Sequence, residues 1–523
     1  MIDAGKLLAD LVIEKNIQDH EEYEKLKMYI SKKYHVSPPK NSDVIKNIPD
    51  DLKEKFLPIL VRKPSRTLSG VAVIAAMTSP FPCPHGKCIY CPGGVEYNTA
   101  QSYTGHEPAA LRAIMNDYDP YKQVKSRIEQ LQAIGHSTSK IDGIVMGGTV
   151  TARSEEYQKY FVKGMYDAMN GFTSNNVHES MLYNEISDNR MIGLTFETRP
   201  DWFYEREIDI ALDLGVTRVE LGVQSVFDDI LNLVHRGHGQ MEIIKSTQLA
   251  KDAGLKICYH MMPGLPGSSP EKDLESFKKI FNDENYRPDM LKIYPTLVVE
   301  NSELYKWWKE GKYRPYHDND FLDLLIEIKK IVPRWVRIQR VERDIPVPLI
   351  IDGIRRSDIR DLAYNKMKSM GLHCNCIRCR EIGRKYEKGE ILKEPEIKMN
   401  RFDYDASKGK EIFLSFDDVK NDAIIGYLRL RIPSEFAHRK EVFQSSMVRE
   451  LKVLGPEVPV NKIYSNAFQH KGYGKMLMEE AEKISREEFD KKYMLVNSGV
   501  GAIEYYRKLG YEKYGPYVRK LIL

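Results

Sequence analysis

Six short apolar runs recur between residues 71 and 294: VAVIAA (71–76), IDGIVM (141–146), IGLTFE (192–197), RVELGV (218–223), KICYHM (256–261) and MLKIY (290–294). Helix-length segments separate several of them, such as the one in which Met241, Ile244, Leu249 and Ala253 precede Gly254. Buried strands alternating with helices predict parallel β/α units. Six units are too few for a closed eight-stranded barrel. The pattern therefore predicts an α/β domain built as an open, partial (β/α)6 barrel. Chemistry in such folds gathers at the C-terminal ends of the strands, so the loops after each run are the places to look.

The 523 residues contain seven cysteines, too few for a disulfide scaffold, and six of them fall into two groups, Cys83/Cys88/Cys91 and Cys374/Cys376/Cys379. The opening MIDAGKLLADLVIEKN has a mixed-charge amphipathic pattern with no apolar export core. No apolar run reaches the ~18–20 residues of a membrane span. The expected location is cytoplasmic, with no membrane partner. Clustered thiols in that setting point to metal or iron–sulfur ligation. A chain 42% hydrophobic and 10% aromatic is not a disordered scaffold. A net charge of +4 is too small to argue for a nucleic-acid partner.

Cys83-x4-Cys88-x2-Cys91 follows the first run in a loop rich in proline and glycine. A structural zinc completed by His85 is one reading of that spacing. A [4Fe–4S] cluster on three cysteines is the other. It leaves one iron open to chelate the amino and carboxylate groups of S-adenosylmethionine (SAM), whose cleavage supplies a radical. Tyr90 and the strand-end position favour the cluster. Gly147, Gly148 and Thr149 close the second run and bring backbone groups close to a ligand. Glu197 and Arg199 close the third and suit the polar groups of SAM, or form a structural ion pair. Gln224, Ser225, His260, Lys292 and Tyr294 lie at the ends of later runs.

Beyond residue 400 the pattern becomes a mixed α+β domain. EIFLSF (411–416), AIIGYLRLRI (423–432), VRELKVLG (448–455) and YMLVN (493–497) read as strands. A glycine loop, FQHKGYG (468–474), precedes a helix on which Leu477, Ala481 and Ile484 share a face. A helix start of this kind suits a pyrophosphate, and the strand before it places Glu450, Leu451, Lys452 and Val453 beside a pantetheine arm. Tyr505 and Tyr506 follow on a short helix. Cys374, Cys376 and Cys379, with His373 adjacent, suit a structural zinc. Cys258 reads as core. Seven arginines between Val332 and Arg360 (Arg334, Arg337, Arg340, Arg343, Arg355, Arg356 and Arg360) suit phosphate contacts or local ion pairs equally.

Together these segments resemble the catalytic subunit of Elongator in its stand-alone archaeal form. The resemblance rests on CPHGKCIYCPGG (83–94), QSYTGHEP (101–108), RIEQL (127–131), IGHSTSK (134–140), MGGT (146–149), FETRPDW (196–202), RVELGVQSV (218–226), HMMPGLPG (260–267) and LKIYPTLV (291–298). It continues through VREL (448–451), FQHKGYG (468–474) and GVGAIEYYRKLGYEKYGPY (499–517). Residues 1–68 read from their own pattern as a charged helical region; the resemblance covers about residue 70 to the end and implies a radical SAM domain (69–365), a zinc-binding linker (366–400) and a GNAT acetyltransferase domain (401–523). It makes Cys83, Cys88 and Cys91 cluster ligands. Gln469, Gly472, Tyr473, Gly474 and Lys475 become the acetyl-CoA loop, and Tyr505 or Tyr506 a catalytic tyrosine, with Tyr506 the expected acetyl-CoA contact. Lys140 matches a family lysine that reaches coenzyme A from the radical domain. The family varies in the gap between its first two cysteines, so four residues there instead of three are compatible with it.

The implied substrate is the wobble uridine in the anticodon stem-loop of tRNA. A SAM-derived radical takes hydrogen from the acetyl group, the carbon radical adds to C5, and loss of an electron and a proton, with thioester hydrolysis, leaves 5-carboxymethyluridine. Arg62, Lys63, Arg66 and the 334–360 stretch are the expected phosphate contacts. A homodimer or accessory subunits are compatible with the sequence. The cluster and the thioester are expected to share one chamber. The main rival is a protein lysine acetyltransferase with a structural iron–sulfur cluster; a second is a non-catalytic tRNA-binding scaffold.

Overall fold

The computed structural model describes residues 3–61, 70–391, 394–455 and 471–522. Four helices open the chain, Ala4–Glu14, His20–Tyr34, Asn41–Asn47 and Asp50–Leu60. Asp3 and Asp19 cap the first two by accepting from the amides of Lys6 and Glu22. Leu8, Val12, Tyr23, Ile30, Val44 and Phe56 form a small core of their own. Arg62, Lys63 and Arg66 lie outside the described residues.

Seven parallel strands then form one open sheet in chain order. They are β1 (Ala72–Met77), β2 (Lys140–Met146), β3 (Arg190–Thr198), β4 (Arg218–Gln224), β5 (Lys256–Met261), β6 (Met290–Ile293) and β8 (Arg337–Val341). A separate ribbon pairs β7 (Val298–Val299) with β9 (Ile350–Asp352). The strand β8 corrects the expectation of six. Its sequence, RIQRV, has only two apolar residues and lies in the arginine-rich stretch, so the apolar-run criterion passes over it.

Period-two alternation sorts the strand side chains. On β4, Val219, Leu221 and Val223 are buried against the helical layer, and on β5 Ile257, Tyr259 and Met261 do the same. The other face carries Arg218, Glu220, Gly222 and Gln224 on β4, and Lys256, Cys258 and His260 on β5. The curved sheet wraps around this second set, so the lumen of the half-barrel is polar.

The second sheet runs β10-β11-β12-β13-β14-β16-β15. It comprises β10 (Ile397–Ala406), β11 (Gly409–Asp418), β12 (Ala423–Ile432), β13 (Ser445–Val453), β14 (Tyr493–Val496), β15 (Glu512–Tyr514) and β16 (Tyr517–Leu521). All its neighbours are antiparallel except β13 and β14. Leu477, Ala481 and Ile484 of helix Tyr473–Glu487 seal one face, as their spacing predicts.

This domain docks on the N-terminal ends of the barrel strands, which form the floor of the barrel. Arg449 makes a bidentate pair with Asp289 at 2.7 Å per bond, reaches Glu411 at 2.7 Å, and donates to the carbonyl of Leu255 at 2.9 Å. Arg431 holds Asp252 (2.7 Å) and Glu411 (2.9 Å). Arg429 holds Glu450 (2.9 Å). The three arginines are at most 1% exposed. Taking such charges out of water is costly, and only this density of hydrogen bonds offsets it.

Candidate active site

The loop after β1 carries Cys83, Cys88 and Cys91 to the C-terminal ends of the strands, the roof of the barrel. Two groups among the described residues bring three metal-type ligand atoms within 4.8 Å of one another, and this cysteine group is not one of them. A single tetrahedral zinc with ~2.3 Å bonds needs its sulfurs about 3.8 Å apart, so the arrangement disfavours the zinc reading with His85. The sulfurs are surrounded by donors instead. Gln101 Nε2 is 3.2 Å from Cys91 Sγ, Arg236 Nη1 is 3.6 Å from Cys88 Sγ, and His85 Nε2 is 3.1 Å from Cys88 Sγ. Arg236 is almost wholly buried and has no carboxylate partner among its hydrogen bonds, which go to Cys88 and Gly222. Hydrogen bonds to cluster sulfurs are a normal feature of iron–sulfur sites, and Arg236 and Gln101 are placed to make them. The donor set fits a [4Fe–4S] cluster.

Cys83, Gly148, Thr149, Glu197, Arg199, Gln224, Arg236, His260, Tyr294, Arg340 and Arg343 line one cavity of about 1000 Å³, its mouth included. Gly147 and Gly148 both have positive φ (+137° and +85°). A Cβ on Gly147 would lie 2.0 Å from Thr78 Oγ1, and one on Gly148 2.9 Å from Gln101 Cβ. The pair is therefore a cradle that side chains would fill. Gln224 ends β4 at φ +71°, unusual for a non-glycine residue, and its Oε1 is buried with no hydrogen-bond partner among the described residues.

Glu197 and Arg199 are not paired with each other. Arg199 makes a bidentate pair with Asp201 (2.9 and 2.7 Å) and donates to the carbonyl of Arg236. Glu197 accepts from Tyr103 Oη (2.9 Å) and Lys292 Nζ (3.2 Å). Lys292 also pairs with Glu220, which accepts from His260 Nε2 at 2.8 Å. Burial pushes the Glu220 carboxyl up, but Lys292, His260 and Arg218 outweigh it and hold the group ionised. Tyr103, Gln101 and Arg236 were not singled out as site residues from the sequence. Their one signal was local, in the polar runs QSY and HRGHG that follow strand ends.

The second site opens in the other domain. β13 pairs with β14 only over Ser445–Val448. Beyond that the two strands splay, and the edge from Arg449 to Val453 has no strand on that side among the described residues. Glu450, Leu451, Lys452 and Val453 are brought together there as expected. The helix that closes the splay opens at Gly472 with φ +83°. A Cβ on Gly474 would sit 2.8 Å from Tyr505 Oη, so glycine there lets the hydroxyl come close to the loop. Tyr473 packs its ring on Phe416, and Lys475 is 3.6 Å from Glu479. Gln469 lies outside the described residues. Tyr506 is 7% exposed and packed in the core, whereas Tyr505 is 41% exposed. The hydroxyl next to the loop is thus that of Tyr505, and the expected contact, Tyr506, stands behind it.

Lys140 begins β2 at the floor, beside the acetyltransferase domain. Among the described residues, the roof cavity and the splay lie toward opposite ends of the barrel strands, with the lumen between them. Cys374, Cys376 and Cys379 bring their sulfurs within 4.8 Å. His373 is exposed and is not in that group. Lys329 Nζ lies 3.4 Å from Cys379 Sγ. Of the seven arginines between 334 and 360, Arg334, Arg337 and Arg356 form ion pairs with Asp422, Glu381 and Asp358. Arg355 and Arg360 bond backbone carbonyls. Arg340 pairs with Asp344 and Arg343 bonds the Ser102 carbonyl, yet both also line the cavity.

Family models match along the whole chain: an ELP3 N-terminal domain (1–68), the Radical SAM superfamily (79–280), a Radical SAM C-terminal domain (288–369) and the Acetyltransferase (GNAT) family (379–511). The tRNA uridine(34) acetyltransferase of Methanocaldococcus infernus is 51% identical over 92% of this chain and 91% of that protein. Human Elongator complex protein 3 is 44% identical over 98% of this chain and 96% of its own. The chain belongs to the Elongator protein 3 family. The solved structure of the archaeal Methanocaldococcus infernus Elp3 with N-terminus deletion superposes with a TM-score of 0.78 at 47% identity, covering 87% of this chain and all of that one. Family membership makes the chain an enzyme that combines radical SAM and acetyltransferase domains, and it implies a [4Fe–4S] cluster, SAM and acetyl-CoA. No helix among the described residues is long and apolar enough to cross a membrane.

Proposed function

We propose that the chain builds a carboxymethyl group on C5 of the wobble uridine of tRNA, taking the two-carbon unit from acetyl-CoA. The observation that carries the reading is the docking of an acetyltransferase splay, through a fully buried charged interface, onto a barrel whose roof presents three cysteines. Ordinary acetyl transfer needs only a nucleophilic amine and does not form a carbon–carbon bond to a pyrimidine. The cluster and SAM supply, when bound, a radical able to take hydrogen from an unactivated methyl group. Two of the relatives described above are named for modifying uridine 34 of tRNA or for belonging to Elongator, which supports the same substrate.

In this reading Cys83, Cys88 and Cys91 hold the cluster, and Gly147, Gly148 and Thr149 cradle the methionine part of SAM. Glu197, set by Tyr103 and Lys292, receives the cationic side of the ligand, while Arg199 stiffens the wall through Asp201. Gly472, Tyr473, Gly474 and Lys475 receive the pyrophosphate, with Gln469 from the preceding loop. The edge Glu450–Val453 pairs with the pantetheine amides. Tyr505 places its hydroxyl at the mouth of the splay, and Lys140 faces the coenzyme from the barrel side. Arg340 and Arg343 meet the phosphates that flank an extruded base. Cys374, Cys376 and Cys379 hold a zinc beside Lys329, a staple between the domains.

The test is anaerobic incubation with reductant, SAM, acetyl-CoA and tRNA, followed by mass spectrometry of the nucleosides. The expected result is 5-carboxymethyluridine from the native chain and none from Cys88→Ala or Cys91→Ala. Amine acetylation that survives those substitutions, with uridine unchanged by the native chain, would replace this reading with a lysine acetyltransferase.

A further inference from the structure

The two cofactor ends lie about 20 Å apart, the length of a seven-residue strand at ~3.3 Å per residue, yet carbon from one must meet the radical at the other. The lumen between them has an unusual lining. Barrel interiors are ordinarily layered with valine, isoleucine and leucine. Here successive levels carry Lys292 with Glu220 and Glu197, then Glu220 with Arg218 at 3.4 Å, then Arg218 with Asp142 at 3.1 Å. Lys256 and Arg337 complete the lowest level, where Glu450 and Lys452 of β13 form the floor.

Five buried polar atoms along this column have no hydrogen-bond partner among the described residues: Thr195 Oγ1, Glu220 Oε1, Arg218 Nε, Asp142 Oδ1 and Arg337 Nη1. Glu220 Oε1 and Arg218 Nε face each other as an ion pair without hydrogen-bond geometry. Unpartnered groups of this kind are expensive to bury, and a row of them from one end to the other calls for an occupant. The set mixes donors and acceptors, which is what water satisfies. Lys256, Arg218 and Lys292 offer donors that a small carboxylate could share with Glu197, Glu220, Asp142 and Glu450. Glu220, Cys258 and His260 do bring three ligand atoms within 4.8 Å, but Lys292 and Arg218 beside them disfavour a divalent ion.

We infer that the lumen is a hydrated passage, continuous between the two cofactor ends, that admits solutes of acetate size. The inference rests on the proposed reaction for its purpose but not for its test. A bulky wall residue should close the passage and leave both ends intact. The first measurement is ¹³C-acetate NMR on the full chain without cofactors. The native chain should perturb the acetate resonance, and Thr195→Leu should abolish the effect. The second is thermal unfolding of Thr195→Val. In a packed core the loss of an unsatisfied hydroxyl raises the midpoint; in a hydrated passage it does not. The third uses the loaded enzyme. Thr195→Leu should keep tRNA-stimulated thiol release from acetyl-CoA and 5′-deoxyadenosine formation, while 5-carboxymethyluridine falls by an order of magnitude or more.

Native-level product from Thr195→Leu overturns the passage, as does an unperturbed acetate signal together with a raised midpoint for Thr195→Val. A native chain that makes neither thiol nor 5′-deoxyadenosine overturns the proposed function instead, and leaves the acetate and unfolding results to decide the passage.

Discussion

The roof and the floor of the barrel are built from the same strands but treat charge differently. At the floor, the docking charges are densely paired: Arg449 makes five hydrogen bonds within 3.5 Å, to Asp289, Glu411 and the Leu255 carbonyl. At the roof, the Gln224 side-chain carbonyl, Tyr90 Oη and His85 Nδ1 are buried without a hydrogen-bond partner among the described residues, and a guanidinium faces thiols. Satisfied groups specify a docking geometry. Unsatisfied ones await a ligand. The difference separates the end that holds the molecule together from the end that reacts.

The largest effect expected to break this contrast is at the roof. Cys88→Ala or Cys91→Ala should lower uridine modification by more than about 1000-fold, or about 4 kcal/mol, with little change in the unfolding midpoint. A collapse in stability would make the roof cysteines structural. At the floor, Arg449→Met leaves Asp289 and Glu411 short of their partner and should cost about 3–5 kcal/mol in denaturant unfolding; a cost under about 1 kcal/mol would show that the interface tolerates unanswered charge.

Lys256 sharpens the contrast, because it lies at the floor but faces the lumen. Burial lowers its pKa from 10.5 to about 8. Between those values the unfolded chain binds the extra proton, so stability rises with pH; below pH 8 the penalty, about 3 kcal/mol, is fully present. Stability of the native chain should climb from pH 8 to 10.5 more steeply than that of Lys256→Met, and equal slopes would refute the assignment. Smaller still is Arg236→Lys, which keeps the charge but loses the fork that reaches both Cys88 and Gly222. It should cost about 10–100-fold in activity and alter the electronic spectrum of the reconstituted cluster. The smallest effect is chelation. Stripping metal from Cys374, Cys376 and Cys379 should lower the midpoint by several degrees, roughly 2–4 °C per kcal/mol for domains of this size, with 5′-deoxyadenosine formation intact.

Much of this was readable beforehand, for identifiable reasons. β5 and β12 match the expected 256–261 and 423–432 to the residue, because clear apolar runs end at turn-forming sequence. β8 and β10 escaped, since RIQRV and IKMNRFDYDA carry too few apolar residues in series. The grouping of the three roof cysteines was legible from spacing, and the loop before helix Tyr473–Glu487 from Gly472 and Gly474. The partners that set the roof, Tyr103, Gln101 and Arg236, come from distant loops, and the polar runs QSY and HRGHG that hold them do not show that Gln101 and Arg236 meet the cysteines. The docking of one domain beneath the other depends on ion pairs between residues some 160 to 180 positions apart, such as Asp289 with Arg449 and Asp252 with Arg431. No window of sequence contains both members.

Those same pairs constrain how the polypeptide can be dissected. A chain severed near position 395 would leave Arg431 and Arg449 of the C-terminal fragment with Glu411 and Arg429 with Glu450, and would strip Asp252 and Asp289 of the N-terminal fragment of those arginines. Each piece would expose a charged face that the other covers in the intact chain, so cutting the polypeptide is expected to cost stability on both sides of the cut.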